Sequence, residues 1–150
     1  MRRSKRDFYL DIARECALQG TCLRRNYGAV LVRNDEIIAT GYSGAPRGLP
    51  NCCDTGICRR QELGVPSGER YELCVSVHAE MNACISAPRS LMIGSTMYLC
   101  GIDAGTGEIY LETKPCLLCR RILVNAGIEE LVIRRTNDEF EVMKGDELSG

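Results

Sequence analysis

Apolar side chains recur at helical spacing near the start of the chain. Phe8, Ile12, Ala13 and Cys16 share one side of the segment 7–19, and Gly20 stops it. Two runs of another kind follow: 27–32 (YGAVLV) and 36–40 (EIIAT) are short and apolar, which predicts strands joined through Arg33, Asn34 and Asp35. A second helix is predicted over 77–87, ended by Pro88, and a third strand over 95–101. The third helix, 115–126, has proline at its first position and Gly127 at its end, and a fourth strand follows over 130–134. The order helix, two strands, loop, helix, strand, helix, strand predicts one α/β domain over 1–150, with a mixed sheet covered on both faces.

Three segments escape this pattern. Residues 41–68 carry most of the punctuation (GYSGAPRGLPN, DTG, GVPSGE), and a loop of that length is uncommon unless it is functional or tied by metal. Residues 101–113 read as a hairpin insert with Gly105, Thr106 and Gly107 at its tip, and 136–150 as a weakly patterned acidic tail. Composition narrows the class. With 150 residues, 45% hydrophobic and 26% charged, the chain can bury a core unaided. No apolar run approaches the roughly 18 residues of a membrane span. The start, MRRSKRDFYLDIARE, lacks the apolar stretch of a secretory signal, so a cytoplasmic location is expected. A formal charge of −1 and 5% aromatic residues without tryptophan leave no footprint for nucleic acid as a partner.

Ten cysteines change the picture. In a reducing compartment they are buried hydrophobes, nucleophiles or metal ligands, and spacing decides which. Two motifs stand out: His78-Ala79-Glu80, and Pro115-Cys116-Leu117-Leu118-Cys119, each at a predicted helix start. Two thiolates and one imidazole form a three-ligand zinc set that leaves a fourth position for water, the catalytic arrangement. Cys116 and Cys119, three apart, lie on one helix face. Glu80 would move protons beside that site. His78 is the chain's one histidine, so no other imidazole competes. Cys16, Cys84 and Cys100 fall in periodic apolar patterns and read as core.

H-x-E followed by P-C-x-x-C is the zinc-deaminase signature. With GYSGAPRG, NCCD, VHAEMNA, STMYL and NAGIEELV, the chain resembles the deoxycytidylate (dCMP) deaminase family from about Gly20 to Val132. The resemblance implies a three-layer α/β/α cytidine-deaminase-like fold with a central mixed sheet, and hydrolytic loss of ammonia from C4 of cytosine in a nucleotide. It places zinc on His78, Cys116 and Cys119 and the proton shuttle on Glu80. It further implies a homo-oligomer under allosteric control by dCTP and dTTP.

The loop 42–48 follows a strand end, where α/β sheets place ligand loops. Arg47, Arg24 or Arg25 could meet a phosphate; the bland alternative for each is a solvated surface arginine. Ser43 stands where relatives carry an asparagine that touches the nucleoside, and Ala79 and Tyr98 match family positions near the pocket, although a strand tyrosine is more often a core residue. Cys22, Cys52, Cys58 and Cys74 recur in bacterial relatives and would make a closed structural zinc site, with Cys53 an alternative to Cys52 and free buried thiols the competing reading. Two other functions stay open: deamination of another base (cytosine, guanine or a tRNA adenosine), and a non-catalytic zinc scaffold.

Overall fold

Five strands, β1 (Arg25–Arg33), β2 (Glu36–Tyr42), β3 (Thr96–Asp103), β4 (Glu130–Arg134) and β5 (Phe140–Lys144), form one sheet in the order β2-β1-β3-β4-β5. The computed structural model describes residues 1–149. Only β3 and β4 run parallel; the other pairs are antiparallel, so the sheet is mixed as expected. The helices are α1 (Lys5–Leu18), α2 (Cys52–Thr55), α3 (Arg59–Glu62), α4 (Ala79–Ile85), α5 (Arg89–Met92), α6 (Leu117–Ala126) and α7 (Asp146–Ser149). Alternation along the strands divides the core. Val30, Val32, Cys100 and Ile102 face Tyr9, Ala13 and Ala17 of α1. On the other face Ala29, Leu31, Met97, Leu99, Leu131 and Ile133 meet α4, α5, α6 and α7. The result is three layers, α/β/α.

Two strand glycines set how closely the helices approach. A Cβ at Gly28 would lie 2.0 Å from the Ala13 carbonyl oxygen of α1, and one at Gly41 would lie 2.4 Å from the Ala79 carbonyl oxygen of α4. The sheet therefore holds α4, and the residue before it, with almost no intervening side chain.

The structure departs from the sequence reading in three places. The long loop contains α2 and α3, a 3₁₀ turn at Tyr71–Leu73 follows it, and a bridge between Gly44 and Val77 ties the whole segment together. Helices of four residues fall below the length at which periodicity can be read. In the acidic tail, Phe140–Lys144 pairs antiparallel with β4, and Met143 and Leu148 enter the core. Met143 is the one fully buried residue of that strand, and Glu141 and Lys144 interrupt its apolar positions, so no continuous apolar run marks it. Pro115 precedes the helix instead of starting it, because Cys116 is the N-cap of α6. The 101–113 excursion does turn back on itself, with Ile102 bridged to Ile109 and the Asp103 carboxylate accepting from the amides of Gly105 and Thr106.

Candidate metal centre and its cavity

His78 and Cys116 occupy the same structural position. Each is an N-cap with extended backbone, His78 at φ −69°, ψ 150° and Cys116 at φ −70°, ψ 167°. The Cys116 sulfur accepts the amide N–H of Cys119 at 3.4 Å, so the C-x-x-C spacing becomes an N-cap and third-residue pair, satisfying a helix-start donor. His78 Nδ1 lies 3.3 Å from Cys119 Sγ and 3.5 Å from Cys116 Sγ. The three ligand atoms all fall within 4.8 Å of one another, and no other such trio exists among the described residues. The extended N-cap also explains how His78 and Glu80 serve one site although they are two apart. His78 stands outside the helix, Glu80 lies in its first turn, and both line one cavity.

The charges in this cluster lean on one another. The Cys119 thiol and its amide, with the His78 ring, hold the Cys116 thiol down to about 4 against the opposing effect of burial. The Cys119 thiol is pushed up as the donor to Cys116 and by burial. His78 is raised by its bond to Cys116, and the Glu80 carboxyl, 5% exposed, is raised by burial. Two sulfurs and one imidazole nitrogen converging on a point, with a thiolate already favoured at one of them, fit zinc and leave one coordination position to a non-protein ligand.

The cavity beside this trio is lined by Arg24, Arg25, Tyr27, Ser43 and Cys116 among others, and among the described residues Glu80 is its one carboxylate. A second cavity is larger, about 500 Å³ against 120 Å³, but holds none of the three ligand residues. Arg47 lines that second cavity, away from the metal cluster. Tyr98 does not reach the site either: it packs under α1 with its ring 5.2 Å from Tyr9, because its position in β3 points to the α1 face. Ala79 is fully buried against β2 and is not part of the cavity wall. Ser43 is in the wall, yet its hydroxyl already accepts the Tyr27 N–H at 3.0 Å. Sequence reasoning missed Arg60, Tyr71 and Lys114, which also line the cavity. Of these, Tyr71 directly follows the stretch GVPSGE and Arg70, and that stretch reads from sequence only as punctuation.

The other cysteines gather around Cys52. Its thiol is buried, and its pKa is raised by that burial and by the nearby thiols of Cys22, Cys74 and Cys58. Cys53 is exposed, so Cys52 is the inward member of the pair. Asn26 brackets Cys22 through its amide N–H and carbonyl, at 2.8 and 3.2 Å. These sulfurs do not converge to the spacing of the first trio.

A model of the cytidine and deoxycytidylate deaminase zinc-binding region matches residues 3–135. The chain belongs to that family. It is 35% identical over 125 residues to a deoxycytidylate deaminase of Schizosaccharomyces pombe, covering 83% of this chain and 35% of that protein. With the deoxycytidylate deaminase of Saccharomyces cerevisiae it shares 34% identity over 148 residues, 43% of the yeast protein. This chain thus spans less than half the length of both. Against the deoxycytidylate deaminase of Mycobacterium phage D29 it is 34% identical over 131 residues, 84% of this chain and 91% of the phage protein. In fold it is similar to the dCMP deaminase of cyanophage S-TIM5, with a TM-score of 0.62 at 23% identity over 92% of this chain and 88% of that one.

Proposed function

We propose that the chain catalyses zinc-dependent hydrolytic deamination of dCMP to dUMP and ammonia, supplying the thymidylate precursor. The observation that carries this reading is Glu80, a carboxyl buried in the wall of the cavity that His78 and Cys116 also line. A purely structural zinc site needs no acid beside an open coordination position. The phage D29 relative, spanned over nearly its full length, bears the name deoxycytidylate deaminase and supports the substrate.

His78, Cys116 and Cys119 would hold the metal, which when bound supplies a Lewis acid able to make water nucleophilic near neutral pH. Glu80 takes one proton from the attacking water and delivers it to N3 of the cytosine, then takes the second from the hydroxyl added at C4 and passes it to the amino nitrogen, so that the C4–N bond breaks with loss of ammonia as the C4 carbonyl forms. Burial keeps this carboxyl's affinity for a proton high, which suits a shuttle. Arg24 and Arg25 stand at the cavity for the phosphate, and the buried Ser43 fixes the wall through Tyr27.

The same reading includes a structural zinc on Cys22, Cys52, Cys58 and Cys74, supported by the crowding of three thiols about buried Cys52. All ten thiols are free, in keeping with a cytoplasmic protein, and among the described residues no helix is long and apolar enough to cross a membrane. Exposed Leu117, Leu118 and Ile122 on α6 suit a homo-oligomer, and the second cavity offers dCTP or dTTP a place apart from the metal cluster. The test is loss of cytosine absorbance with dCMP, CMP, deoxycytidine and dCTP as substrates, with dCTP also added as activator. Turnover of dCMP supports the assignment; zinc-loaded protein that turns over none of them overturns it.

A further inference from the structure

Two arginines are buried among the described residues, and their surroundings are opposite. Arg134, 3% exposed, pairs with Asp7 at 3.0 Å and Asp11 at 4.0 Å. Arg60, 6% exposed, has no acidic partner within 4.0 Å among the described residues. A buried guanidinium without a counter-charge is costly, and the fold nonetheless builds a cradle for this one. Its Nε donates to the Glu69 carbonyl at 3.0 Å, its Nη2 reaches the Pro66 carbonyl at 3.5 Å, and its plane lies 4.5 Å from the centre of the Tyr71 ring. Nη1 has no hydrogen-bond partner among the described residues and is not sealed off, and Arg60 lines the cavity. The Tyr71 ring in turn meets His78 edge-on at 5.2 Å. One aromatic ring thus stands between a buried, unpaired cation and a metal ligand.

We propose that Arg60 is the specificity-determining residue for the anionic end of the substrate, its guanidinium receiving the phosphate of a nucleoside monophosphate. This deepens the proposed function and rests on it. Arg24, Arg25 and Lys114 line the same cavity and surround the phosphate with further positive charge. They differ from Arg60 in being less buried: Arg24 is half-buried, Lys114 is exposed, and Arg25 is exposed and stacks on Tyr110 of the hairpin insert at 4.0 Å. Arg60 is the member whose geometry is set before the ligand arrives, so it loses little freedom on binding. The motif GVPSGERY supplies the two carbonyls and the ring that fix it.

The test compares zinc-loaded wild type, Arg60→Gln and Arg60→Lys, with dCMP as substrate and inorganic phosphate as competitor. Loss of one charge-assisted phosphate contact predicts that Arg60→Gln raises KM for dCMP about ten- to hundred-fold, with kcat within about threefold and phosphate inhibition lost. Arg60→Lys keeps the charge without the fork and should fall between. An unchanged KM with folded, zinc-loaded variants, or a loss confined to kcat and melting temperature, overturns the proposal and leaves Arg60 as a scaffold for its loop. If the variants do not fold, phosphate titration of wild type by NMR of arginine Nε–H signals decides: a buried Arg60 signal that stays still refutes it. If wild type turns over no dCMP, the functional reading fails by itself, and phosphate binding at Arg60 is still read from the same titration.

Discussion

The two thiol clusters are built on different foundations. The His78, Cys116 and Cys119 trio sits at the starts of two helices, one of them pressed onto β2 at Gly41. Packing alone sets its ligand atoms within 4.8 Å of one another. The Cys22, Cys52, Cys58 and Cys74 group is strung along segments outside the sheet: Cys52 begins a four-residue helix, Cys58 caps another and Cys74 follows a 3₁₀ turn. Its sulfurs are neighbours at wider spacing than those of the trio. The difference teaches where the binding energy of zinc at the trio, and of the proposed zinc at the loop, would go. A site preformed by packing loses little to ordering and can direct that energy to chemistry. A site carried by short helices couples metal binding to folding of the loop itself.

The largest effect expected on the preformed side is Glu80→Ala. Removing a general acid-base group should lower turnover of dCMP by roughly 10²–10⁴-fold, while zinc content measured by plasma mass spectrometry stays at the wild-type value in the trio. Loss of zinc together with activity would show that Glu80 holds the site in shape and would erase the distinction between building the site and using it.

On the loop side the informative pair is Cys52→Ser against Cys53→Ser, adjacent residues with opposite burial. Cys52→Ser should remove one zinc per chain and cost on the order of 4 kcal/mol of unfolding free energy by urea titration, since a lost metal is among the few large single-site effects. Cys53→Ser should change stability by less than about 0.5 kcal/mol. Equal, small effects at both positions would mean that the loop is held by hydrogen bonds such as Thr21 to Asn51 and Cys53 N–H to the Thr21 carbonyl, with no metal.

Gly41→Ala probes the foundation of the trio directly. The added methyl would meet the Ala79 carbonyl oxygen at 2.4 Å and the Ala83 nitrogen at 2.5 Å, both backbone atoms that cannot swing aside. Overpacking of this kind costs about 1–3 kcal/mol, and because α4 carries His78 the variant should also bind zinc more weakly in a chelator competition. A destabilised variant with unaltered zinc affinity would show that His78 moves independently of its helix.

This contrast also governs what could be read from the chain. C-x-x-C and H-x-E are local patterns whose geometry is completed by a helix start, so His78, Glu80, Cys116 and Cys119 are legible from residue order alone. The sheet is equally legible along β1 and β4, where apolar runs are continuous, and illegible at β5, where Met143 alone is buried. Arg47 and Tyr98 misled because a motif position says nothing of which side of a loop or strand a side chain leaves from. Arg60 was invisible for a related reason. Its meaning lies in a stack on Tyr71 and in the lack of an acidic neighbour, and both are tertiary facts.

Apart from the Cys53→Ser control, the smallest expected effect lies on the α1 face of the sheet, and it sets the baseline for the others. Asp7, in the first turn of α1, accepts from Arg134 at 3.0 Å, and that bond, followed by one from the Ser4 hydroxyl, holds its carboxyl below the ordinary carboxylate range. A depressed native pKa contributes stability that is fully present above the unfolded value near 3.9 and fades as pH falls through the lower native value. Asp7→Asn should therefore destabilise by about 1 kcal/mol or less at pH 7, because Asp7 is 45% exposed and screened and Asp11 still faces Arg134 at 4.0 Å. The gap between wild type and variant should begin to narrow below about pH 4 and close only below the lower native value. Urea melts of the pair at pH 7 and pH 3.5 measure it. A gap that persists undiminished at the lower pH would show that Asp7 acts through helix capping and not through its charge on Arg134. Zinc content and dCMP turnover at pH 7 should be unchanged in the same protein, because this ion pair lies on the α1 face while both thiol clusters lie elsewhere.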